Sequence, residues 1–163
     1  IPMLARTASS LLALVGLAIP LAAQTRNLLV FPPGDGSRTV SILQPETLNT
    51  VATVQAATDS YAAFIQPGAP GKMYIVGRSS SNTVTVVSAA NLVANTINLP
   101  NGTTDAAMTA DGRRLLVVAQ AVPQLQIIDT ASDAVTLTLP LPAPGLSLAL
   151  NFDSTRAFVL SQQ

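Results

Sequence analysis

Three observations predict an all-β fold assembled from a repeated four-stranded unit. Short runs of four to six residues alternate aliphatic or β-branched positions with polar ones, and clusters of Gly, Pro, Asn, Asp and Ser separate them. The runs recur with a period of about 42 residues, and Asp-Gly or an equivalent turn signal falls at the same place in each period. With 48% hydrophobic and 10% charged residues, the 163-residue chain is apolar enough to bury a core and too apolar to remain disordered.

Each element follows from the same metre. Apolar strands led by a cation are expected at 72–76, 114–118 and 156–160, opening on Lys72, Arg114 and Arg156, which stand 42 residues apart; 27–31 is a weaker copy upstream. A second strand type is expected at 39–43, 83–87 and 124–128, a third at 50–54, 94–99 and 134–139, and a fourth at 60–65, 105–110 and 146–151. Asp111-Gly112 supplies the positive φ that a tight hairpin between the fourth and first types needs, and 66–71 and 151–155 fill the same slot. Turns at 44–47, 88–91 and 129–133 join the second and third types. Four short strands per unit of this length is the metre of a β-propeller blade, which buries its faces only by stacking on neighbours.

The residues from Leu28 onward resemble the YVTN-type β-propeller repeats of secreted and surface-layer bacterial and archaeal proteins. The marks are the cation-led apolar strand, a Val-x-Val or Ile-Ile strand ending near Asp129-Thr130-Ala131, a Thr/Val-rich strand, and the Asp-Gly-Arg turn; the tetrapeptide itself reads Tyr74-Ile75-Val76-Gly77, Leu116-Val117-Val118-Ala119 and Phe158-Val159-Leu160-Ser161. The resemblance implies that the strand before the Asp-Gly turn lies innermost. The chain then holds three strands of one blade, two whole blades and two strands of a fourth, an incomplete ring that is expected to be the N-terminal portion of a longer propeller. If the 163 residues were the whole product, self-association completing a ring is the physical alternative.

Composition excludes much chemistry. Cys 0 and His 0 remove disulfides, thiolate and imidazole metal ligands, and every Ser-His or Cys-His nucleophile pair. Eight cations against eight carboxylates give no basic surface for nucleic acid. The carboxylates after the first two dozen residues all sit in or beside expected turns; Asp111, Asp129, Asp133 and Asp153 recur with the repeat, and a role accepting hydrogen bonds from turn amides is expected of them. Asp105 with Asp111 lacks the rest of a calcium loop. No catalytic, cofactor-binding or metal-ligating residue is therefore assigned, and no cofactor is expected. Lys72, Arg114 and Arg156 share one blade position and should pair locally or snorkel rather than bind ligand. Arg38, Arg78 and Arg113 fall outside that register and are the ligand-binding candidates. Tyr61, Phe64, Tyr74 and Phe158 are expected in the core, and Asn101-Gly102-Thr103 reads as a turn, although it also matches a glycosylation sequon.

Residues 1–23 read as a secretory signal peptide: Arg6 precedes an uncharged apolar run from Leu11 to Ala23 that is too short, and too interrupted by Gly16 and Pro20, to span a bilayer. Cleavage after Ala23 would leave residues 24–163 as the partial propeller in an extracytoplasmic compartment, with no membrane span. The expected function is a non-catalytic module that binds a protein or glycan or builds a surface layer. The alternative is the N-terminal part of a lactonase-like propeller enzyme whose active site lies largely in other blades.

Overall fold

The computed structural model describes residues 28–30, 38–56, 59–68, 71–78, 81–88, 92, 94–100, 102–119 and 121–161. The expected signal segment 1–23, Asp35 and Asn101 lie outside these. The described residues form thirteen strands and no helix: β1 (Leu28–Val30), β2 (Thr39–Leu43), β3 (Thr50–Gln55), β4 (Ser60–Ile65), β5 (Lys72–Gly77), β6 (Thr83–Ser88), β7 (Ala94–Asn98), β8 (Asp105–Met108), β9 (Arg114–Val118), β10 (Gln124–Asp129), β11 (Ala134–Pro140), β12 (Gly145–Leu150) and β13 (Ala157–Ser161). They pair as consecutive antiparallel meanders of three, four, four and two strands: β1-β2-β3, β4-β5-β6-β7, β8-β9-β10-β11 and β12-β13. This is the blade arrangement the period predicts, and the described blades do not close a ring.

Period-two alternation explains the stacking, because each central strand sends successive side chains into different cores. In β5, Met73 and Ile75 join Val40, Ile42 and Val54 of blade one, while Tyr74 and Val76 join Leu115, Val117 and Ile128 of blade three. In β9, Leu115 and Val117 face blade two, whereas Leu116 and Val118 pack with Leu148 of blade four. Full burial of each such aliphatic side chain contributes roughly 1.5–3 kcal/mol, so the blades are held mainly by one another. The fourth strand of each whole blade is its most exposed: β7 buries only Ile97, and β11 buries none of its residues.

Blades three and four come closest at their first strands, where β12 packs on β8 and β9. Gly145 permits this approach: a Cβ there would lie 2.8 Å from Val118 Cβ. The strand that precedes the Asp-Gly turn is thus the one at which blades three and four converge.

The local geometry repeats as well. The β2–β3, β6–β7 and β10–β11 hairpins each place one residue at left-handed φ, Leu48 at 56°, Leu92 at 55° and Asp133 at 52°. Bulges recur between β2 and β3 and between β10 and β11, and again at the starts of β4 and β12. The expected strand 105–110 stops at Met108, because Thr109 and Asp111 fold the following residues into the hairpin turn. Phe158 corrects the core assignment. It is 58% exposed, since no described blade covers its side of β13, whereas Tyr74 is fully buried and Tyr61 and Phe64 pack against the core between blades two and three.

Candidate functional site

The three candidate arginines do not converge. Arg78 follows the end of β5, and Arg38 precedes β2, the blade-one counterpart of β6. The end of the second strand and the start of the third are neighbours in an antiparallel blade, so both arginines lie at the same end of the stack. Arg113 precedes β9 and lies at the opposite end, beside the Asp-Gly turn. There its Nε is 3.9 Å from Asp111 Oδ2, with both side chains largely in solvent, a contact that contributes little.

Arg78 has the most defined setting. Its exposed guanidinium lies over the Tyr61 ring, Cζ 4.9 Å from the centroid, close enough for a cation–π attraction. The Tyr61 hydroxyl is buried without a hydrogen-bond partner among the described residues. Burial pushes its pKa up to about 12, with the Asp105 charge adding to the shift and Arg78 opposing it. Asp105 is itself engaged: Oδ1 accepts from the Ala106 amide, and Oδ2 accepts from Ser147 Oγ and the Leu148 amide, each at 2.8 Å. Its carboxylate therefore ties the first strands of blades three and four together. The neighbouring Thr103 hydroxyl donates to the Gly77 carbonyl and is fully buried, which anchors the loop into β8 to blade two.

At the opposite end, carboxylates serve the turns. Asp111 accepts from Thr109 Oγ1 at 2.7 Å and from the Arg113 amide at 3.0 Å. Asp129 accepts from Ser132 Oγ and the Ser132 amide, and Asp153 from Thr155 Oγ1 and the Thr155 amide. The hydroxyl donors, followed by the amides, hold all three carboxyls below the ordinary aspartate range. Turn chemistry is what the sequence predicts for these residues.

Asp133 is the exception and corrects that assignment. Instead of capping its own turn, it reaches into blade two: Oδ1 accepts from Tyr74 Oη and Oδ2 from Lys72 Nζ, both at 2.7 Å. Lys72 also donates to the Thr130 carbonyl at 3.0 Å, and Tyr74 Oη lies 3.2 Å from the same oxygen. The Thr130 hydroxyl donates to Gly112 O and receives Gln66 Nε2. Lys72 thus pairs across blades, not within its own. No sequence signal separates Asp133 from the turn aspartates, because its partners stand about 60 positions away. Among the described residues no group of three or more carboxylates could hold a metal ion.

No protein-family model and no curated protein matches the chain. Solved structures do. The chain is similar to hydrazine synthase of Kuenenia stuttgartiensis (TM-score 0.66, 14% identity), covering 77% of this chain and 36% of that one. It is also similar to the β-propeller domain of Cps50 (Swd1) of Myceliophteria thermophila (TM-score 0.64, 18% identity; 84% of this chain, 46% of that) and to a chain of the mitotic checkpoint complex (TM-score 0.63, 16% identity; 77% and 41%). The chain therefore spans less than half the length of these structures. At such identities the likeness establishes the fold, a run of β-propeller blades, and that fold serves both enzymes and binding scaffolds.

Proposed function

We propose that this chain contributes the first blades of an extracytoplasmic, YVTN-type propeller that is non-catalytic and binds a protein or glycan through the end of the stack bearing Arg38 and Arg78. On this reading residues 1–23 are a signal peptide and further blades follow residue 163. The carrying observation is Arg78: an exposed guanidinium held over the Tyr61 ring, while the Asp105 carboxylate that also acts on Tyr61 has its oxygens taken by other donors. Such a group is oriented for an outside acceptor at little entropic cost. The remaining carboxylates with resolved partners are consumed by turn or inter-blade bonds, which suits a scaffold better than an acid–base pair.

The test is a binding screen of the purified protein against cell-wall glycans and envelope extracts, repeated with Arg78→Ala. The reading expects a retained ligand whose affinity falls in the variant. Absence of any ligand together with measurable turnover of a lactone or other substrate would overturn it in favour of the enzyme alternative.

A further inference from the structure

Arg78 is a positioned cation whose donors are unused. Its amide donates to the Asp59 carbonyl at 3.0 Å and its carbonyl accepts from the Ser81 amide at 2.8 Å, so its backbone is held in the turn that leaves β5. The guanidinium rests on the Tyr61 ring, with Cζ 4.9 Å from the centroid. A guanidinium carries its N–H donors along a planar edge, and none of those of Arg78 meets a hydrogen-bond or ion-pair partner among the described residues. The Asp105 carboxylate, whose charge reaches Tyr61, commits its oxygens to Ala106, Ser147 and Leu148. Tyr61 adds no counter-charge, because its pKa is pushed up to about 12.

The surroundings are polar and uncharged. Arg38 stands at the same end of blade one, also exposed and also without an ion pair among the described residues. One blade and one strand separate the two backbone positions, which at ordinary sheet and strand spacings is roughly 11 Å. Exposed Asn82 and Asn98 lie at this end as well, where β6 begins and β7 finishes. The exposed bulky apolar residues of blades one and two, Leu48, Val51 and Ile65, all lie at or toward the opposite end. A protein partner is gripped through apolar and aromatic anchors in a desolvated centre. An end that offers unpaired arginines and amides without such an anchor suits sugar hydroxyls and acid groups instead.

We infer that the end of the stack bearing Arg78 and Arg38 takes an acidic glycan, with one sugar carboxylate lying edge-on against the Arg78 guanidinium and a second acid group of the same glycan meeting Arg38. The inference deepens the binding reading above and rests on it. The ring beneath Arg78 fixes the plane of the fork, so a planar carboxylate is met by two parallel N–H bonds at little cost in side-chain freedom. The asparagines are left to the hydroxyls, which every saccharide carries, so the arginines supply the discrimination in favour of acidic sugars.

The probes are polygalacturonate, its fully methyl-esterified form and poly-L-glutamate, titrated calorimetrically into the full chain. Polygalacturonate should bind, the ester should bind about tenfold more weakly, and added sodium chloride should weaken the acid form alone. Arg78→Ala should lose about tenfold in affinity, and Arg78→Lys should recover only part of it, since it keeps the charge without the fork. Arg38→Ala should cost less than Arg78→Ala. Both arginines are exposed, so an unchanged far-ultraviolet spectrum shows that the variants fold. Equal affinity for acid and ester, or an Arg78→Ala protein that binds as the wild type does, overturns the acidic-glycan assignment. Tighter binding of poly-L-glutamate also overturns it and marks an acidic-peptide site. If polygalacturonate fails while the screen above retains a neutral glycan, the charge class falls and the binding reading stands; if nothing is retained from glycans or envelope extracts, both fall.

Discussion

Replacing Asp133 by Ala is the sharpest perturbation of the blade interface. The change removes two acceptor oxygens at once, one from the buried Tyr74 hydroxyl and one from Lys72, both at 2.7 Å. A hydrogen bond to a charged acceptor contributes about 1.5–3 kcal/mol, and stranding the buried donor adds to its loss. The ion pair must be discounted, because its side chains are 30% and 25% exposed; about 0–1 kcal/mol is appropriate there. Tyr74 Oη keeps the Thr130 carbonyl at 3.2 Å, which pulls the total toward the lower end, about 2–3 kcal/mol. Urea unfolding monitored by far-ultraviolet circular dichroism should show that loss at an unchanged m-value, and the melting temperature should fall by roughly 5–10 °C. Tyr74→Phe separates the two bonds: a cycle with Asp133→Ala should give a coupling of at least about 1 kcal/mol. An Asp133→Ala protein within about 0.5 kcal/mol of the wild type, the range of an ordinary surface substitution, would refute the claim that this carboxylate latches blade three to blade two.

The remaining predictions concern titration and backbone. Asp111, Asp129 and Asp153 have carboxyls lowered by hydrogen bonding, so their stabilisation is present above the unfolded aspartate value near about 4 and is lost as pH falls through the lower folded values; a melting temperature that stays flat on acidification from pH 5 to pH 2 would contradict this. Tyr61 shifts the other way: its folded value of about 12 exceeds the ordinary 10.0, so its contribution holds below pH 10 and fades as pH rises toward 12. Spectrophotometric titration should show little tyrosinate in the native protein at pH 10.5, and half-ionisation of both tyrosines at that pH would exclude the buried environment. Leu48 is 64% exposed and sits at φ 56°, so Leu48→Gly should raise stability by about 1 kcal/mol through relief of left-handed strain; denaturant midpoints decide the sign. Gly112 is the opposite case. It sits at φ +67° with a Cβ position 2.2 Å from Pro67 Cδ of the neighbouring blade, so Gly112→Ala should cost about 2–4 kcal/mol, and a cost below about 1 kcal/mol would show that the two turns are not in contact.

What the sequence revealed was local. Strand existence and the 42-residue metre follow from alternation and turn residues within a few positions of each other, the distribution of the strands over four sheets follows from what the family resemblance implies about the innermost strand, and Asp111, Asp129 and Asp153 bind donors no more than three residues away. Contacts set by the rotation of one blade on the next were not legible. Asp133 and Asp105 look like turn acids, but their strongest partners lie 59 to 61 and 42 to 43 positions distant. Left-handed Leu48 and Leu92 carry no composition signal, since Leu is an unusual residue there. The division of the candidate arginines, by contrast, follows from strand order: Arg38 and Arg78 flank strand ends that meet at one end of the stack, and Arg113 precedes a strand that starts at the other. Phe158 has the composition of a core residue, and no described blade covers it.

Cross-strand nuclear Overhauser effects in isotopically labelled protein decide whether the chain folds as consecutive antiparallel meanders. Contacts are expected along β8-β9-β10-β11, including those joining Met108 to Leu115, Leu116 to Ile127, and Ile127 to Leu137, with the same order in β4-β5-β6-β7. No backbone ladder is expected between β7 and β8. A hydrogen-bonded ladder joining strands from different periods, such as β5 with β8, would mean a Greek-key sandwich and would contradict the propeller account.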